Sequence, residues 1–261
     1  MKVQVKNLEL TYPILTGDSF LGRKSLVNKV TDIFKSNNKT IKKTFSNENK
    51  GQIYNLKALK GINFELKPGD RLGLMGLNGS GKSSLIKCLS NILPADQGSE
   101  INIEGSYLPI ISPIHFCERE DTVLNNLITV GLLLGFKKAE LINSASEILD
   151  FAEIKNYQNF PFASLSTGMG FRLISSICFI LKRDNYFIDE FLTTGDEQFQ
   201  NKSFKIIDER SKINIIVLCS HSQRMIEKFC NKILVLNKGE QVFFGDLNDG
   251  LNEYRKIINN S

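Results

Sequence analysis

The sequence has few of the residues that build metal sites or disulfide frameworks. Only two of its 261 residues are histidine, which excludes a histidine-rich metal site. The number of cysteines is odd, at five, and no two of them form a C-x-x-C pair. This usage is typical of buried, reduced thiols in a cytosolic protein. The thiols are Cys88, Cys117, Cys178, Cys219 and Cys230.

The sequence also lacks a long hydrophobic run. Its most apolar stretch, 127–136, is shorter than the roughly 20 residues that a membrane-spanning helix needs. Residues 1–6 alternate polar and apolar side chains, which is typical of a strand and not of a signal peptide. We therefore expect that the chain does not cross a membrane alone, so any membrane role must come through a partner.

The charge balance is mild. The net charge is +5 and charged residues make up 23% of the chain, so we expect neither wholesale disorder nor a dedicated nucleic-acid binder. A small positive excess suits a protein that works near nucleotides or anionic lipid, without identifying either. The hydrophobic content of 41% is enough for one large domain.

Short apolar runs and helical periodicities alternate along the chain, which predicts a doubly wound α/β core. Buried parallel strands are predicted at 71–75, 186–188 and 215–219. An edge strand is predicted at 1–12, and hairpins at 53–66 and 233–244. Helices are predicted at 83–92, 123–134, 139–151 and 168–181.

Residues 16–52 differ in character from their surroundings, because lysine and arginine outnumber acidic residues there. Five apolar residues recur at helical spacing and predict a short amphipathic helix, namely Leu26, Val27, Val30, Ile33 and Phe34. The polar stretch 36–50 is typical of a surface loop. The segment is either a solvated excursion or a basic, apolar-faced contact for a partner or for lipid headgroups.

Residues 76–83 fit the pattern G-x-x-x-x-G-K-[ST], which arises by chance in roughly 1% of chains of this length. An apolar strand precedes the pattern and a helix follows it. Glycines let the backbone curl so that successive N–H groups face phosphate oxygens, and the helix adds its positive dipole end. The pattern predicts ATP binding by Gly76, Leu77, Asn78, Gly79, Ser80, Gly81, Lys82, Ser83 and the adjacent Ser84.

Four side chains carry the predicted chemistry. Lys82 would reach the β- and γ-phosphates, and the Ser83 hydroxyl would contact Mg²⁺. Asp189 and Glu190 end an apolar strand; Asp189 would hold Mg²⁺, directly or through water, and Glu190 would polarise the attacking water. An isolated Asp-Glu pair would indicate only a strand reaching the surface, so the phosphate loop is what favours the catalytic interpretation. ATP and Mg²⁺ are the predicted cofactors.

Two further features have simpler explanations when taken alone. Ser166 is a natural N-cap for the helix that follows, with Gly168 just inside it. His221 comes soon after the strand 215–219, and a lone histidine at a strand end is usually structural. In a parallel sheet, however, that strand would deliver His221 to the edge that carries Asp189.

Along the chain come the phosphate loop, the segment 166–169, the strand that ends in Asp189 and Glu190, and then His221. This order resembles that of the nucleotide-binding domain of ABC ATPases, and the resemblance covers about residues 1–250. The resemblance implies a P-loop NTPase with a RecA-like α/β core, an antiparallel β subdomain and a helical subdomain at about 115–180. It implies a single ABC ATPase domain over residues 1–261. It also implies ATP hydrolysis by a head-to-tail homodimer.

The same resemblance assigns roles to individual residues. Catalytic roles would fall to Lys82, Glu190 and His221, with Glu190 as the base and His221 as the γ-phosphate contact. Asp196 looks like the D-loop residue at the dimer seam. Tyr12 is placed like the aromatic residue that stacks on adenine, with Phe20 as the second candidate. The signature residues, which would serve the ATP of the opposite subunit, are Ser166, Thr167, Gly168 and Met169.

A narrower resemblance is to the ABC ATPases of polysaccharide export, which carry O-antigen (lipopolysaccharide), capsule or teichoic acid chains. It rests on the stretch 188–199, IDEFLTTGDEQF, on the Met-type signature and on the insertion 16–52. It implies an integral-membrane permease as partner, a glycan contacted mainly by that permease, and no nucleic acid. It also implies a peripheral location on the cytoplasmic side of the cytoplasmic (inner) membrane, with the inserted helix near that membrane.

Two features depart from the wider family pattern. Most ABC ATPases carry a Gln between the phosphate loop and the helical region, but none occurs at 98–157. Polysaccharide exporters often lack it as well, and the candidates to replace it are Ser112, His115 and Glu118. The sequence also ends soon after the core, so we expect no C-terminal carbohydrate-binding domain of the kind that some exporters have.

Three alternatives stay open on sequence alone. The cargo could be a lipid, a peptide or an ion. The chain could be a soluble ABC ATPase that acts on ribosomes or DNA, although ribosome-acting members usually have two ATPase domains and DNA-acting members insert long coiled coils. It could also be a nucleotide-binding module without hydrolysis, against which the joint presence of Lys82, Asp189, Glu190 and His221 argues.

Overall fold

The computed structural model describes residues 1–16, 52–110, 117–189, 197–220 and 222–259. The strands are β1 (Val3–Thr16), β2 (Gln52–Leu66), β3 (Arg71–Met75), β4 (Glu100–Ile103), β5 (Tyr107–Ile110), β6 (Asn185–Asp189), β7 (Ile215–Cys219), β8 (Lys232–Asn237) and β9 (Glu240–Asp246). The helices are α1 (Lys82–Leu89), α2 (Val123–Leu133), α3 (Lys138–Phe151), α4 (Thr167–Ile180), α5 (Glu197–Ser211), α6 (Gln223–Phe229) and α7 (Leu247–Asn259).

These strands form one sheet in the order β4-β1-β2-β9-β8-β3-β7-β6-β5. The five strands from β8 to β5 are parallel, with helices between them along the chain. At the other end, β1 runs antiparallel to both β2 and β4. A parallel α/β core with an antiparallel extension is therefore confirmed.

The N-terminal strand predictions were wrong in two respects. β1 is not an edge strand, because its first residues pair with β4, a partner about a hundred residues away in sequence. Residues 53–66 do not form a hairpin, because β2 is one long strand that pairs along β1. The pairing shifts register between Val5 and Leu8, where Asn7 adopts a positive φ of 46°. A β-bulge at this point lets β1 and β2 stay paired on both sides of the register shift.

The central strands are buried on both faces, as parallel strands generally are. Successive side chains alternate between two hydrophobic clusters, since strand residues point to opposite faces. Phe187 joins the cluster around β1, β2 and α1, whereas its neighbours Tyr186 and Ile188 join the cluster around α2, α3 and α4. In β7, Val217 faces the first cluster and Leu218 the second. Each central strand therefore contributes side chains to both hydrophobic clusters, one on each face of the sheet.

The helix predictions for 123–134, 139–151 and 168–181 are confirmed within one residue at each end by α2, α3 and α4. Helix α1 ends at Leu89, earlier than predicted, because Asn91 takes a left-handed φ of 54° and Ile92 turns back to donate to the Lys87 carbonyl. Among the helices in the described ranges, none is long and apolar enough to cross a bilayer.

The five cysteines are free thiols, as expected. Four are buried and Cys117 is half-buried. Burial raises the pKa of Cys88 to about 11, with the Asp96 carboxylate adding to the effect. Burial also raises the pKa of Cys117 to about 11 and that of Cys230 to about 12. These three thiols stay protonated at neutral pH, which keeps them poor nucleophiles.

Candidate functional site

The loop 76–83 connects the carboxyl end of β3 to the start of α1. β3 lies between β8 and β7, so the loop emerges near the middle of the sheet. Crevices beyond the carboxyl ends of parallel strands are where open α/β sheets bind ligands. Helix α1 begins after Gly81. Glycine has no side chain that could cap a helix, so the first N–H groups of α1 are not occupied by a capping side chain.

Backbone contacts fix the shape of this loop. A Cβ atom on Gly76 would collide with the Leu236 carbonyl oxygen and with the Ser80 hydroxyl, so only glycine fits there. The Ser80 amide donates to the Leu77 carbonyl at 3.1 Å. Lys82 is only 7% exposed, and its Nζ donates to the carbonyls of Gly76 at 2.8 Å and Leu77 at 3.1 Å. The loop thus holds its own ammonium group in place.

The turn between β8 and β9 supports the loop from outside. It was predicted as a hairpin turn, and its Lys238 and Gly239 have φ values of 49° and 82°, as a type I′ turn requires. Its contact with the loop was not predicted. The Gly239 amide donates to the Ser80 carbonyl at 3.1 Å, while the Gly239 carbonyl accepts from Lys60 at 2.8 Å. No sequence pattern indicates this contact, because it joins residues more than 150 positions apart.

Tyr12 and Ser84, both predicted to bind ATP, lie together beside the start of α1. The Tyr12 hydroxyl and the Ser84 hydroxyl are 3.1 Å apart. Strand β1 is held there by Asp96, which accepts from the Thr11 amide at 3.1 Å and from the Thr11 hydroxyl at 2.6 Å. The antiparallel part of the sheet therefore brings an aromatic ring next to the phosphate loop.

Asp189 ends β6 at the same edge of the sheet. In register it pairs with Cys219 of β7, and Cys219 pairs with Leu74 of β3, so Asp189 lies about 10 Å across the sheet from the strand that feeds the loop. Its Oδ1 is buried and has no hydrogen-bond partner among the described residues. A buried carboxylate oxygen without a partner is costly unless a cation or a donor approaches it. Asp189 and the Ser83 hydroxyl are oxygen ligands of the kind that Mg²⁺ prefers.

The signature residues 166–169 belong to another part of the molecule. The Ser166 side chain accepts from the Met169 amide at 3.2 Å and caps α4, as predicted. Ser166, Thr167 and Gly168 are exposed. Of the residues that the structure describes, a Cβ atom on Gly168 would meet only the Ser166 hydroxyl, 4.0 Å away. Within the described ranges, no hydrogen bond joins this segment to the phosphate loop.

Several predicted positions lie outside the described residues. These are Phe20, Glu190, Asp196 and His221, the replacement candidates Ser112 and His115, and nearly all of the insertion 16–52. The strands that lead to two of them are described. β6 ends at Asp189, one residue before Glu190, and β7 ends at Cys219, two residues before His221.

Comparison with known proteins identifies the family of this chain. A family model described as "ABC transporter" matches residues 59–193, just over half of the chain. The O-antigen export system ATP-binding protein RfbE of Yersinia enterocolitica is 32% identical over 235 residues, which cover 90% of this chain and 93% of that protein. The teichoic acids export ATP-binding protein TagH of Lactiplantibacillus plantarum is 31% identical over 233 residues, 88% of this chain and 63% of that protein.

Solved structures agree on the fold. A dimeric, post-hydrolysis state of the ATP-binding cassette MJ0796 bound to ADP and Pi superposes with a TM-score of 0.66 and 17% identity, covering 94% of this chain and 98% of that one. The ATP-binding subunit of an ABC transporter gives a TM-score of 0.68 and 19% identity, with 97% and 93% covered.

The TagH relatives are longer proteins, since this chain spans 63% of the Lactiplantibacillus TagH and 36% of the Bacillus cereus one. RfbE, in contrast, is matched over nearly its whole length. The predicted family and fold class are confirmed: the chain has the ABC ATPase fold and belongs to the ABC transporter family.

Proposed function

We propose that this chain is the ATP-binding and ATP-hydrolysing subunit of an ABC exporter that moves a polysaccharide, such as an O-antigen or teichoic acid chain, across the cytoplasmic membrane. The similarity to proteins named for O-antigen and teichoic acid export supports the cargo class. The observation that most supports ATP hydrolysis is the Asp189 oxygen, which is buried and has no hydrogen-bond partner among the described residues. It lies at the same sheet edge as the loop 76–83.

The phosphate loop would bind the ATP phosphates through its backbone N–H groups and the start of α1. Lys82, already held at the loop by two carbonyls, would turn its ammonium to the β- and γ-phosphates. Tyr12, next to Ser84, would stack on adenine. These contacts position the γ-phosphoryl group in a site where fixed dipoles stabilise the charge that develops during transfer.

Ser83 and Asp189 would hold Mg²⁺. The bound ion neutralises phosphate charge and stabilises the leaving oxygens. Glu190, the next residue along the chain, would take the proton of the attacking water, and His221 would contact the γ-phosphate. In the sequence Glu190 directly follows Asp189, the last residue of β6, which supports Glu190 as the general base.

The signature residues would complete the site of a second copy. The exposure of Ser166 and Thr167, and the open space around Gly168, support an approach by another molecule. Glycine within a helix lowers stability by about 1 kcal/mol relative to alanine. No described residue lies so close to Gly168 that only glycine would fit, so a glycine at this position suggests contact with another molecule. In a head-to-tail homodimer, Asp196 would lie at the seam.

The subunit would work as a single ABC ATPase domain over residues 1–261, at the cytoplasmic face of the membrane and bound to an integral-membrane permease that contacts the glycan. The basic insertion 16–52 would lie near that membrane. No nucleic acid is involved. Ser112, His115 or Glu118 would take the place of the missing Gln and help to link the nucleotide site to the permease.

The direct test is a pull-down of the tagged protein from detergent-solubilised native membranes, with partners identified by mass spectrometry. Recovery of a polytopic permease, with loss of surface polysaccharide on depletion, is the expected result. Recovery of ribosomes or nucleic-acid proteins without a permease would overturn the transport assignment and leave the ATPase chemistry intact.

Glu190→Gln tests the catalytic assignment separately. The amide has nearly the shape of the carboxylate but cannot accept a proton, so we expect ATP affinity to persist and turnover to fall by at least roughly 10²-fold. Turnover and ATP affinity are measured on the same preparation. Unchanged turnover would contradict the role of Glu190.

A further inference from the structure

Asn126 is a buried polar residue of α2 to which neither the motifs nor the resemblance gives a role. Its side chain is 1% exposed. Buried carboxamides are costly unless their hydrogen-bonding groups are satisfied, and a satisfied one fixes its surroundings firmly. The contacts of Asn126 therefore indicate what it holds.

Among the described residues, the Asn126 carboxamide bonds to backbone groups of the segment 118–122. Its Oδ1 accepts from the Glu118 amide at 2.7 Å. Its Nδ2 donates to the carbonyls of Glu118 at 2.8 Å, Thr122 at 3.0 Å and Asp121 at 3.2 Å. One side chain thus clamps both ends of the turn that leads into α2.

The same turn holds the segment in front of the signature residues. The Asp121 carbonyl that accepts from Asn126 also accepts from the Phe162 amide at 2.8 Å. The Arg119 carbonyl, inside the clamped turn, accepts from the Ala163 amide at 2.8 Å. Thr122 and Pro161 add a β-bridge between the two segments.

The held segment leads directly into the signature. Phe162–Ser164 forms a single 3-10 turn, and only Leu165 separates that turn from Ser166. Because Ser166, Thr167 and Gly168 are exposed, the position of their backbone is set by the segments that flank them, namely this turn and helix α4. A shift of 118–122 would therefore move the signature more than it would move the phosphate loop, which rests on β3, β8 and the β8–β9 turn.

We propose that Asn126 is a positioning residue for the signature 166–169: by clamping the turn 118–122 it sets the geometry with which the signature meets ATP on a second copy of the chain. The inference rests on the proposed function, because only a dimer with composite sites uses the signature in this way. The buried Asn126 side chain would position other groups and would not bind nucleotide itself. It acts through the carbonyls of Arg119 and Asp121.

The test compares two variants with a matched control. Asn126→Ala removes all of the side chain's hydrogen bonds. Asn126→Asp keeps the shape and the acceptor for the Glu118 amide, but places an oxygen against three carbonyls. Asn125→Ala is the control, because Asn125 is the exposed neighbour, and in the described part of the chain its side chain donates only to the Asp121 carboxylate.

Two quantities are measured for each variant in a Glu190→Gln background. The first is the affinity of the monomer for a fluorescent ATP analogue, and the second is the ATP-dependent dimerisation constant from analytical ultracentrifugation. We expect monomer affinity to stay within about twofold and dimerisation to weaken at least about tenfold, which corresponds to about 1.4 kcal/mol. The Asn125→Ala control should match the parent protein in both.

The outcomes separate the possible failures. Normal dimerisation by Asn126→Ala and Asn126→Asp would overturn the inference. Equal loss of ATP affinity and dimerisation in both variants would also overturn it, because Asn126 would then support the fold in general and not the signature. A parent protein that binds ATP and never dimerises would instead contradict the proposed function.

Discussion

The phosphate loop and the signature segment are built in opposite ways. The loop is enclosed by its own chain: Leu236 limits Gly76, Gly239 binds Ser80, and Lys82 donates back to the loop. The signature segment is supported from one side, where Ser166 caps α4 and the turn Phe162–Ser164 is bonded to 119–121, and its other side is exposed.

The difference separates two tasks. A loop that must surround phosphates gains from rigidity that the monomer supplies, since preorganised donors need not rearrange when charge develops. A segment that must meet another subunit needs an exposed, correctly placed surface. Damage to the loop should therefore appear in the monomer, and damage to the signature only in the dimer. The following changes test that contrast.

The largest effect is expected for Lys82→Ala, at the centre of the loop. Removing a preorganised cation from the γ-phosphate should lower ATP turnover by about 10²–10³-fold. ATP affinity of the monomer should fall as well, which binding of a fluorescent analogue measures. Lys87→Ala is the control, because Lys87 lies in the last turn of the same helix and away from the loop. Equal activity of Lys82→Ala and Lys87→Ala would remove Lys82 from the site.

Gly239→Ala should damage the loop from outside. The new Cβ would lie 2.7 Å from the Ala58 carbonyl oxygen, at a φ of 82°. Gly98→Ala is the control, because Gly98 has a similar φ of 93° and no described residue lies within 4 Å of its Cβ position. Backbone strain of this kind costs about 1–3 kcal/mol, and the clash adds to it only at Gly239. Chemical denaturation should therefore show a larger loss for Gly239→Ala, accompanied by weaker ATP binding; equal losses would mean that the close approach is unimportant.

Gly168→Ala should have the reverse pattern. The described residues leave space for the methyl group, and alanine removes the conformational cost of about 1 kcal/mol that glycine has in a helix. We expect monomer stability to stay equal or rise, while ATPase activity falls by about tenfold because the methyl group obstructs the partner's nucleotide. Calorimetry and turnover, measured together, check both halves. Full activity in this variant would argue against a close approach at Gly168.

The smallest effect is expected at Asp184, which belongs to neither region. The Ser106 amide, followed by the Ser106 hydroxyl, holds the pKa of the Asp184 carboxyl below its usual value of 3.8. A depressed pKa stabilises the fold above about pH 4 and loses that contribution as pH falls through the folded value. Asp184→Asn should cost less than about 1 kcal/mol at pH 7, because the site is partly exposed, and should cost less still below pH 4. Denaturation curves at both pH values measure the difference, and ATP turnover should not change.

Local patterns made much of the fold predictable. Helices α2 and α4 have strong apolar periodicity, and Ser166 is a recognisable cap for α4, so the limits of both helices could be placed closely. Strand β7 is a continuous apolar run and was predicted without error. The phosphate loop was found because its chemistry depends on consecutive residues.

Contacts between distant segments were not predictable. The pairing of β1 with β4 and the support of Ser80 by Gly239 join residues that no local pattern relates. Asn126 looked like any polar residue of an amphipathic helix, and only its buried position gives it a role. The predicted position of Tyr12 beside the loop depended on family resemblance and not on spacing, whereas Ser84 directly follows the loop in the sequence.

The central claim is that each ATP site combines the phosphate loop of one chain with the signature of another. The most direct measurement mixes two inactive variants, Lys82→Ala and Gly168→Asp, and follows ATP hydrolysis. In a mixed dimer, one site combines the intact loop of the Gly168→Asp chain with the intact signature of the Lys82→Ala chain. ATP hydrolysis should therefore return to at least roughly a tenth of the wild-type rate. A mixture no more active than the two variants alone would contradict the composite site.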